Sequence, residues 1–296
     1  MSEIRPYRPQ AKEIQQTARA IVQVLAEHGF NSCLFGSTAA AIYGAENRNP
    51  RVWHYYIHSL SCTHTHSLSI LYIPPHPHPS VMVESCLTYW LQDVDIIVLL
   101  PIASPVAGEI TIEEIKQLIA DNSSSDFYLV PSRNPTATHK ILFYILTPAH
   151  PDPESPEHHA CKVDLLLPGI IGIPKRIPSE KIHYEDYFPD LPLIPLGVLL
   201  LMKVKAWHEH QLHGRIRTMK EKMRYDEADV RELLDLAVNE YLIRIGTVEA
   251  WTGWEWIEEM KEYVRKYVAR FPDSTRLWEE IGISLKSEWS LPPQTR

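Results

Sequence analysis

Two aspartates, Asp93 and Asp95, stand at the start of a short apolar run that ends at Leu100. The run is brief and rich in β-branched residues, which predicts a buried strand. Alternate residues of a strand point to the same face, so the two carboxylates would lie side by side. Two such carboxylates repel each other, and oxygen ligands of this kind suit Mg²⁺. The alternative is a solvated strand entrance with two surface aspartates.

A second candidate for chemistry is the pair Gly36-Ser37, which lies between a predicted strand and a predicted helix that ends at Gly44. Glycine lets a phosphate approach the backbone, serine supplies a hydroxyl, and the start of a helix offers unpaired N–H groups. This order of elements is typical of an anion-binding turn. The alternative is an ordinary turn in which Ser37 or Thr38 caps the helix.

A third carboxylate, Asp164, falls within the aliphatic run from Cys161 to Leu167, which also predicts a strand. Lys162 is two residues before Asp164 and therefore shares its face of the strand. A third carboxylate on a second strand is what a two-metal site needs in addition to Asp93 and Asp95. The alternative is an edge strand whose lysine and aspartate are in solvent.

The whole chain has the composition of an ordinary globular protein, with 296 residues of which 45% are hydrophobic and 22% charged. Its formal net charge of -8 argues against an extended nucleic-acid surface. The cysteine spacing indicates no disulfide framework, and no apolar segment has the features of a secretory signal or a membrane span. We therefore expect a cytoplasmic protein, without excluding a nuclear one, and no membrane partner.

The hydrophobic patterns divide the chain into a mixed region and a helical region. Residues 1–190 alternate between strand and helix patterns, whereas residues 191–290 carry helix patterns. This predicts an α+β fold, in which a mixed β-sheet flanked by helices is followed by a C-terminal helical region. The predicted strands are 31–35, 96–100, 127–130, 140–146 and 161–167, and the predicted helices are 12–29, 39–43, 111–120, 195–213, 226–244, 251–271 and 274–285.

Residues 52–92 differ from the rest of the chain, because they contain one acidic residue, no lysine or arginine, and recurring histidine, proline and serine. The codons of Val52 and Gln92 can supply the two splice sites of an intron, so we interpret this segment as a translated, retained intron. Its removal would join Arg51 to Asp93 through a short helix-to-strand loop. The alternatives are a genuine, unstructured loop insertion and, because of the histidines, a metal-binding segment.

Three of these motifs together resemble the nucleotidyltransferase superfamily with the DNA polymerase beta-like core. They are Phe35-Gly36-Ser37, the D-x-D of Asp93 and Asp95, and Lys162-x-Asp164. Two later stretches, Leu199–Trp207 and Tyr225–Val230, are similar to the helical motifs of the abortive-infection toxin branch. His210 stands where that branch has arginine, and Tyr225 stands where it has lysine.

The resemblance implies transfer of a nucleoside monophosphate from an NTP to a hydroxyl of a protein, an RNA or a small molecule. The implied roles are triphosphate binding by Gly36 and Ser37, binding of two Mg²⁺ by Asp93, Asp95 and Asp164, and neutralisation of phosphate charge by Lys203 and Lys162. The alternative is a catalytically inactive nucleotide-binding or interaction protein on the same fold. The segment directly before Asp93 and the two departures from the helical motifs favour that alternative.

Overall fold

A computed structural model describes residues 9–45, 93–100, 110–122, 126–132, 136, 138–146, 159–213, 216–245 and 251–285. Within these ranges the chain forms a seven-stranded mixed sheet and seven α-helices, which confirms the predicted α+β class. Contacts between residues separate two compact units. The first ends at Pro168 but includes Ile182–Ile194, and the second comprises Gly169–Lys181 and the chain from Pro195 onward. The predicted intron, residues 52–92, lies outside the described residues.

The first unit is built on the sheet, whose strands occur in the spatial order β3-β4-β5-β2-β1-β7-β6. In chain order the strands β1 to β7 are Asn31–Leu34, Asp93–Leu99, Phe127–Pro131, Lys140–Ile145, Ala160–Leu166, His183–Glu185 and Phe188–Leu193. β2 lies between β1, to which it is antiparallel, and β5, to which it is parallel. Its residues Ile96–Leu99 are buried, so the strand that begins with the two aspartates is central to the core.

Three helices belong to this unit: α1 (Ala11–Glu27), α2 (Gly36–Ile42) and α3 (Ile112–Asp121). Helix α1 ends as its glycine predicts. Gly29 has a φ of +79°, and the Phe30 amide donates to the Leu25 carbonyl at 2.9 Å, which closes the helix with a Schellman motif. Helix α3 begins with the predicted cap, because the Thr111 hydroxyl accepts from the Glu114 amide and the Glu114 carboxylate accepts from the Thr111 amide.

Helix α1 covers one face of the sheet and leaves the opposite face to the aspartates. Cys161 and Tyr144 are paired across β5 and β4, so their side chains share a face. That face meets α1, since Gln16 donates to the Tyr144 hydroxyl at 3.4 Å and Thr17 interacts with the Cys161 thiol. Burial there raises the pKa of Cys161 to about 12. Lys162 follows Cys161 in the strand and therefore points to the other face.

Strands β6 and β7 were not predicted from the sequence. The segment Phe188–Leu193 contains two prolines, Pro189 and Pro192, which break any simple apolar alternation. The strand pairs with its neighbours at Phe188 and Leu193. The two prolines, which have no amide hydrogen to donate, lie between these paired positions. Tertiary pairing of this strand with β1 and β6 thus stabilises a strand that local propensity disfavours.

The second unit contains helices α4 (Leu196–Leu212), α5 (Arg217–Asn239), α6 (Trp254–Arg270) and α7 (Thr275–Glu280). Aromatic rings form the centre of its core, where Tyr267 packs against Trp207 and Trp278. The predicted start of α5 at residue 226 is wrong. The residues of its first turns are exposed and are good helix formers, but they carry no apolar stripe that would mark a helix in the sequence. An ion pair of 3.1 Å between Arg217 and Glu221 helps to stabilise these turns.

Among the helices described, none combines the length and the apolar composition needed to cross a bilayer. The cytoplasmic compartment stays a prediction.

Candidate functional site

The three aspartates lie together on one face of the sheet. Strands β2 and β5 are parallel and in a register that places Asp95 directly beside Asp164 and Asp93 directly beside Lys162. Paired residues of neighbouring strands point to the same face, and so do alternate residues of one strand. One carboxylate oxygen from each of Asp93, Asp95 and Asp164 lies within 4.8 Å of the other two. All three side chains are half-buried, so the cluster is open to solvent on one side.

Lys162 places a positive charge inside this cluster. Its ammonium group donates a hydrogen bond to the Asp164 carboxylate and lies 3.8 Å from Oδ2 of Asp93. Partial burial by itself would lower the pKa of Lys162, but the hydrogen bond to Asp164 and the charges of Asp93 and Asp95 outweigh burial and raise it. The lysine is therefore fully protonated at neutral pH and neutralises part of the charge of the carboxylates.

The turn at Gly36 is fixed directly against the strand of the aspartates. The Phe35 amide donates to the Asp95 carbonyl at 3.1 Å, and the Thr38 hydroxyl donates to the Asp93 carbonyl at 3.3 Å. Gly36 has a φ of +66°, and a Cβ atom at this position would lie 2.0 Å from Oδ2 of Asp95. Only glycine permits both this backbone conformation and this close approach of the carboxylate.

The alternative interpretation of the Gly36-Ser37 turn, in which Ser37 or Thr38 caps the helix, is wrong. The N-cap residue of α2 is Phe35, and the Thr38 side chain instead donates to β2. Ser37 is half-buried in the first turn, beside the residue that contacts Asp95. The sequence did not identify Thr38 as an anchor of this turn, because its partner is a backbone carbonyl distant in the chain.

Replacement of Gly36 by alanine is expected to destabilise the protein more than the same change at Gly29. Both glycines have positive φ, but a Cβ atom on Gly29 would meet nothing within 4 Å. Gly29→Ala should therefore cost only the backbone strain, about 1 kcal/mol, whereas Gly36→Ala adds a clash with Asp95 and should cost about 3 kcal/mol. Urea unfolding of both variants measures the difference, and equal losses would show that the close approach to Asp95 is not tight.

Lys203, which the resemblance assigns to phosphate binding, lies on α4 in the second unit. Its side chain is buried, with Nζ 2.6 Å from Oδ2 of Asp229 and 3.8 Å from Oδ1 of Asp226. Asp226 also contacts His210, whose Nδ1 is 2.5 Å from its other oxygen. Lys203 therefore serves a buried network of two carboxylates within its own unit, and its role towards a nucleotide stays a prediction.

The donor set of the aspartate cluster suits a divalent metal ion. All three ligands are carboxylates, which hard cations such as Mg²⁺ prefer. In the structure the Lys162 ammonium group contacts two of the three carboxylates and compensates part of their charge. The missing side chain at Gly36 lets the Asp95 carboxylate pack against the turn, because a Cβ atom there would overlap with Asp95. The cluster is thus a possible metal site.

Comparison with known proteins identifies the fold. No known family profile matches the chain, and no curated protein matches its sequence. Among solved structures, the chain is similar to an antigenic nucleotidyltransferase-like protein from Paracoccidioides brasiliensis, with a TM-score of 0.53 and 14% sequence identity. The similarity covers 95% of this chain and 97% of that protein. At this identity the similarity concerns the fold, and the chain therefore has a nucleotidyltransferase-like fold.

Proposed function

We propose that the protein is a Mg²⁺-dependent nucleotidyltransferase that moves a nucleoside monophosphate from an NTP to a hydroxyl group. The observation that supports the proposal most strongly is the convergence of Asp93, Asp95 and Asp164 on one face, beside the Gly36-Ser37 turn. In this proposal the three aspartates hold two Mg²⁺ ions. When bound, the ions would supply positive charge that orients the triphosphate and stabilises the charge that develops during transfer.

The residues of the chain have separate roles in the proposed reaction. The acceptor oxygen attacks the α-phosphorus and forms a new P–O bond, the bond from that phosphorus to the β-phosphate oxygen breaks, and pyrophosphate leaves. Asp164 accepts the proton of the acceptor hydroxyl. Gly36 and Ser37 hold the triphosphate through backbone amides and a hydroxyl, and Lys162 neutralises phosphate charge in place of its present carboxylate partner.

The alternative is a nucleotide-binding or interaction protein that carries out no transfer. The contacts of Lys162 favour it, because an ammonium group beside Asp164 and Asp93 already compensates the charge that a metal ion would neutralise. The two proposals differ in one outcome. An active enzyme releases pyrophosphate, whereas an inactive binding protein retains the intact NTP.

The test is Mg²⁺-dependent pyrophosphate release by the full chain and by a variant that lacks residues 52–92. Each common NTP is offered with protein, RNA and small-molecule acceptors, and EDTA provides the metal-free control. We expect release from at least one NTP that stops when EDTA is added. Absence of release from both forms across the whole acceptor screen, together with retained NTP binding, would favour the inactive protein.

A further inference from the structure

A single transverse row of side chains leads from the aspartate cluster to the outer edge of the sheet. Asp93 on β2 pairs with Lys162 on β5, Lys162 pairs with Phe143 on β4, and Phe143 pairs with Tyr128 on β3. Directly paired residues point to the same face, so all four side chains lie on the face of the carboxylates. Asp164 is two residues further along β5 than Lys162, and neighbouring strands are about 4.8 Å apart. The Cα atom of Phe143 is therefore about 8 Å from the Cα atom of Asp164.

The two aromatic rings of this row form a stacked, half-exposed pair. The centroids of Tyr128 and Phe143 are 5.7 Å apart, and the ring planes differ by 23°. One residue further along the same two strands, Phe127 and Tyr144 form another ring pair that is tilted by 52° and lies on the covered face. That second pair is buried, with exposures of 5% and 8%, whereas Tyr128 and Phe143 keep contact with solvent.

The short distance between the aspartate cluster and the two rings suits a nucleoside, because the base and the hydroxyl groups are attached to the same ribose. A ribose hydroxyl at Asp164 would leave the base of the same nucleotide within reach of the rings of Phe143 and Tyr128. Flat aromatic rings bind nucleobases by stacking, and this interaction tolerates any base. The net charge of -8 argues against extended contact with a long polyanion.

We propose that Phe143 and Tyr128 form a stacking platform for the base of the acceptor, and that the acceptor is a nucleotide, either free or at the end of an RNA. The proposal rests on the nucleotidyl transfer proposed above. The acceptor hydroxyl loses its proton to Asp164, its oxygen bonds to the α-phosphorus of the NTP, and pyrophosphate leaves. The platform takes no part in bond making and only positions the acceptor.

Binding measurements test the platform separately from the reaction. Fluorescence anisotropy of the full chain is measured with a labelled RNA trinucleotide and with an abasic trinucleotide that carries the same phosphates but no bases. The variants are Tyr128→Leu and Phe143→Leu, with Tyr128→Phe as the conservative change. Tyr184→Leu is the matched control, because Tyr184 is 53% exposed on β6 at the opposite edge of the sheet.

We expect the wild-type chain to bind the RNA at least about tenfold more tightly than the abasic probe. Each leucine variant should lose most of this difference, while Tyr128→Phe and Tyr184→Leu should retain it. If a free nucleoside monophosphate displaces the labelled RNA, the acceptor is a free nucleotide. If unlabelled RNA displaces it and the monophosphate does not, the acceptor is an RNA end. Either result supports the platform.

Equal binding of the two probes by the wild-type chain would overturn the platform. A folded Tyr128→Leu variant that keeps the full difference in affinity between the two probes would overturn it as well. So would tighter binding of an aromatic peptide that the RNA fails to displace. Because the assay requires no turnover, base-dependent binding without pyrophosphate release would reject the transfer reaction while retaining the platform as a nucleotide-binding surface. Pyrophosphate release that is unaffected by either leucine variant would reject the platform and leave the transfer reaction intact.

Discussion

Replacement of Asp164 by asparagine is expected to reduce Mg²⁺-dependent pyrophosphate release by at least about 1,000-fold, or roughly 4 kcal/mol of barrier. Asparagine keeps the shape of the side chain but removes the negative charge that a metal ion needs and the oxygen that would accept the acceptor proton. Asp93→Asn and Asp95→Asn should each have an effect of similar size, because all three carboxylates belong to one cluster. Steady-state rates at saturating NTP measure the loss.

The loss of activity should occur without loss of stability. Three carboxylates within 4.8 Å repel one another, so removal of one charge relieves repulsion even though Lys162 loses a partner. The matched control is Asp190→Asn on β7, where the carboxylate pairs with Arg19 at 2.5 Å and both side chains are about half exposed. The control should remain fully active. An Asp164→Asn variant that keeps more than about a tenth of the activity would be incompatible with the proposed role.

The second large effect is expected at Lys203, where replacement by methionine should reduce the free energy of unfolding by about 3–5 kcal/mol. The lysine pairs with Asp229, which is 0% exposed, and with Asp226, which is 5% exposed. Methionine keeps most of the apolar stem but leaves two buried carboxylates without their ammonium partner. Urea unfolding followed by tryptophan fluorescence reports the change, because Trp207 and Trp278 are in the core of the same unit.

Lys205→Met provides the matched control for this prediction. Lys205 is on the same helix, but its partners Glu209 and Glu259 have side chains that are about half exposed. Ion pairs of this kind contribute about 1 kcal/mol or less. Addition of Asp229→Asn to Lys203→Met should restore part of the lost stability, because it removes one of the two buried charges that have lost the lysine. Equal effects of the two lysine changes would show that the buried network contributes little.

The aspartate cluster was largely predictable from the sequence, because strand alternation alone determines that Asp93 and Asp95 share a face. The pairing of Asp95 with Asp164 was not predictable in this way, since the register of β2 against β5 depends on contacts distant in the chain. The same limit applies to the row through Phe143 and Tyr128. Each residue is unremarkable in its own strand, and only the registers of three strand pairs bring the row together.

Local signals were reliable where a single turn determines the structure. The glycine after α1 and the Thr111–Glu114 capping box both mark helix ends as predicted. They failed where tertiary contacts outweigh propensity, as in the proline-containing strand Phe188–Leu193 and in the exposed start of α5. Lys203 shows a further limit, because the sequence contained both the lysine and its aspartates but did not indicate that they pair.

The most direct test of the metal site is anomalous diffraction from crystals soaked in Mn²⁺ with a non-hydrolysable NTP analogue. Mn²⁺ accepts the same oxygen ligands as Mg²⁺ and gives an anomalous signal that identifies its position. We predict anomalous peaks in contact with oxygens of Asp93, Asp95 and Asp164, with the Lys162 ammonium group moved away from Asp164. No peak at these carboxylates under saturating Mn²⁺ and nucleotide, with Lys162 still bonded to Asp164, would contradict a metal-dependent transfer site.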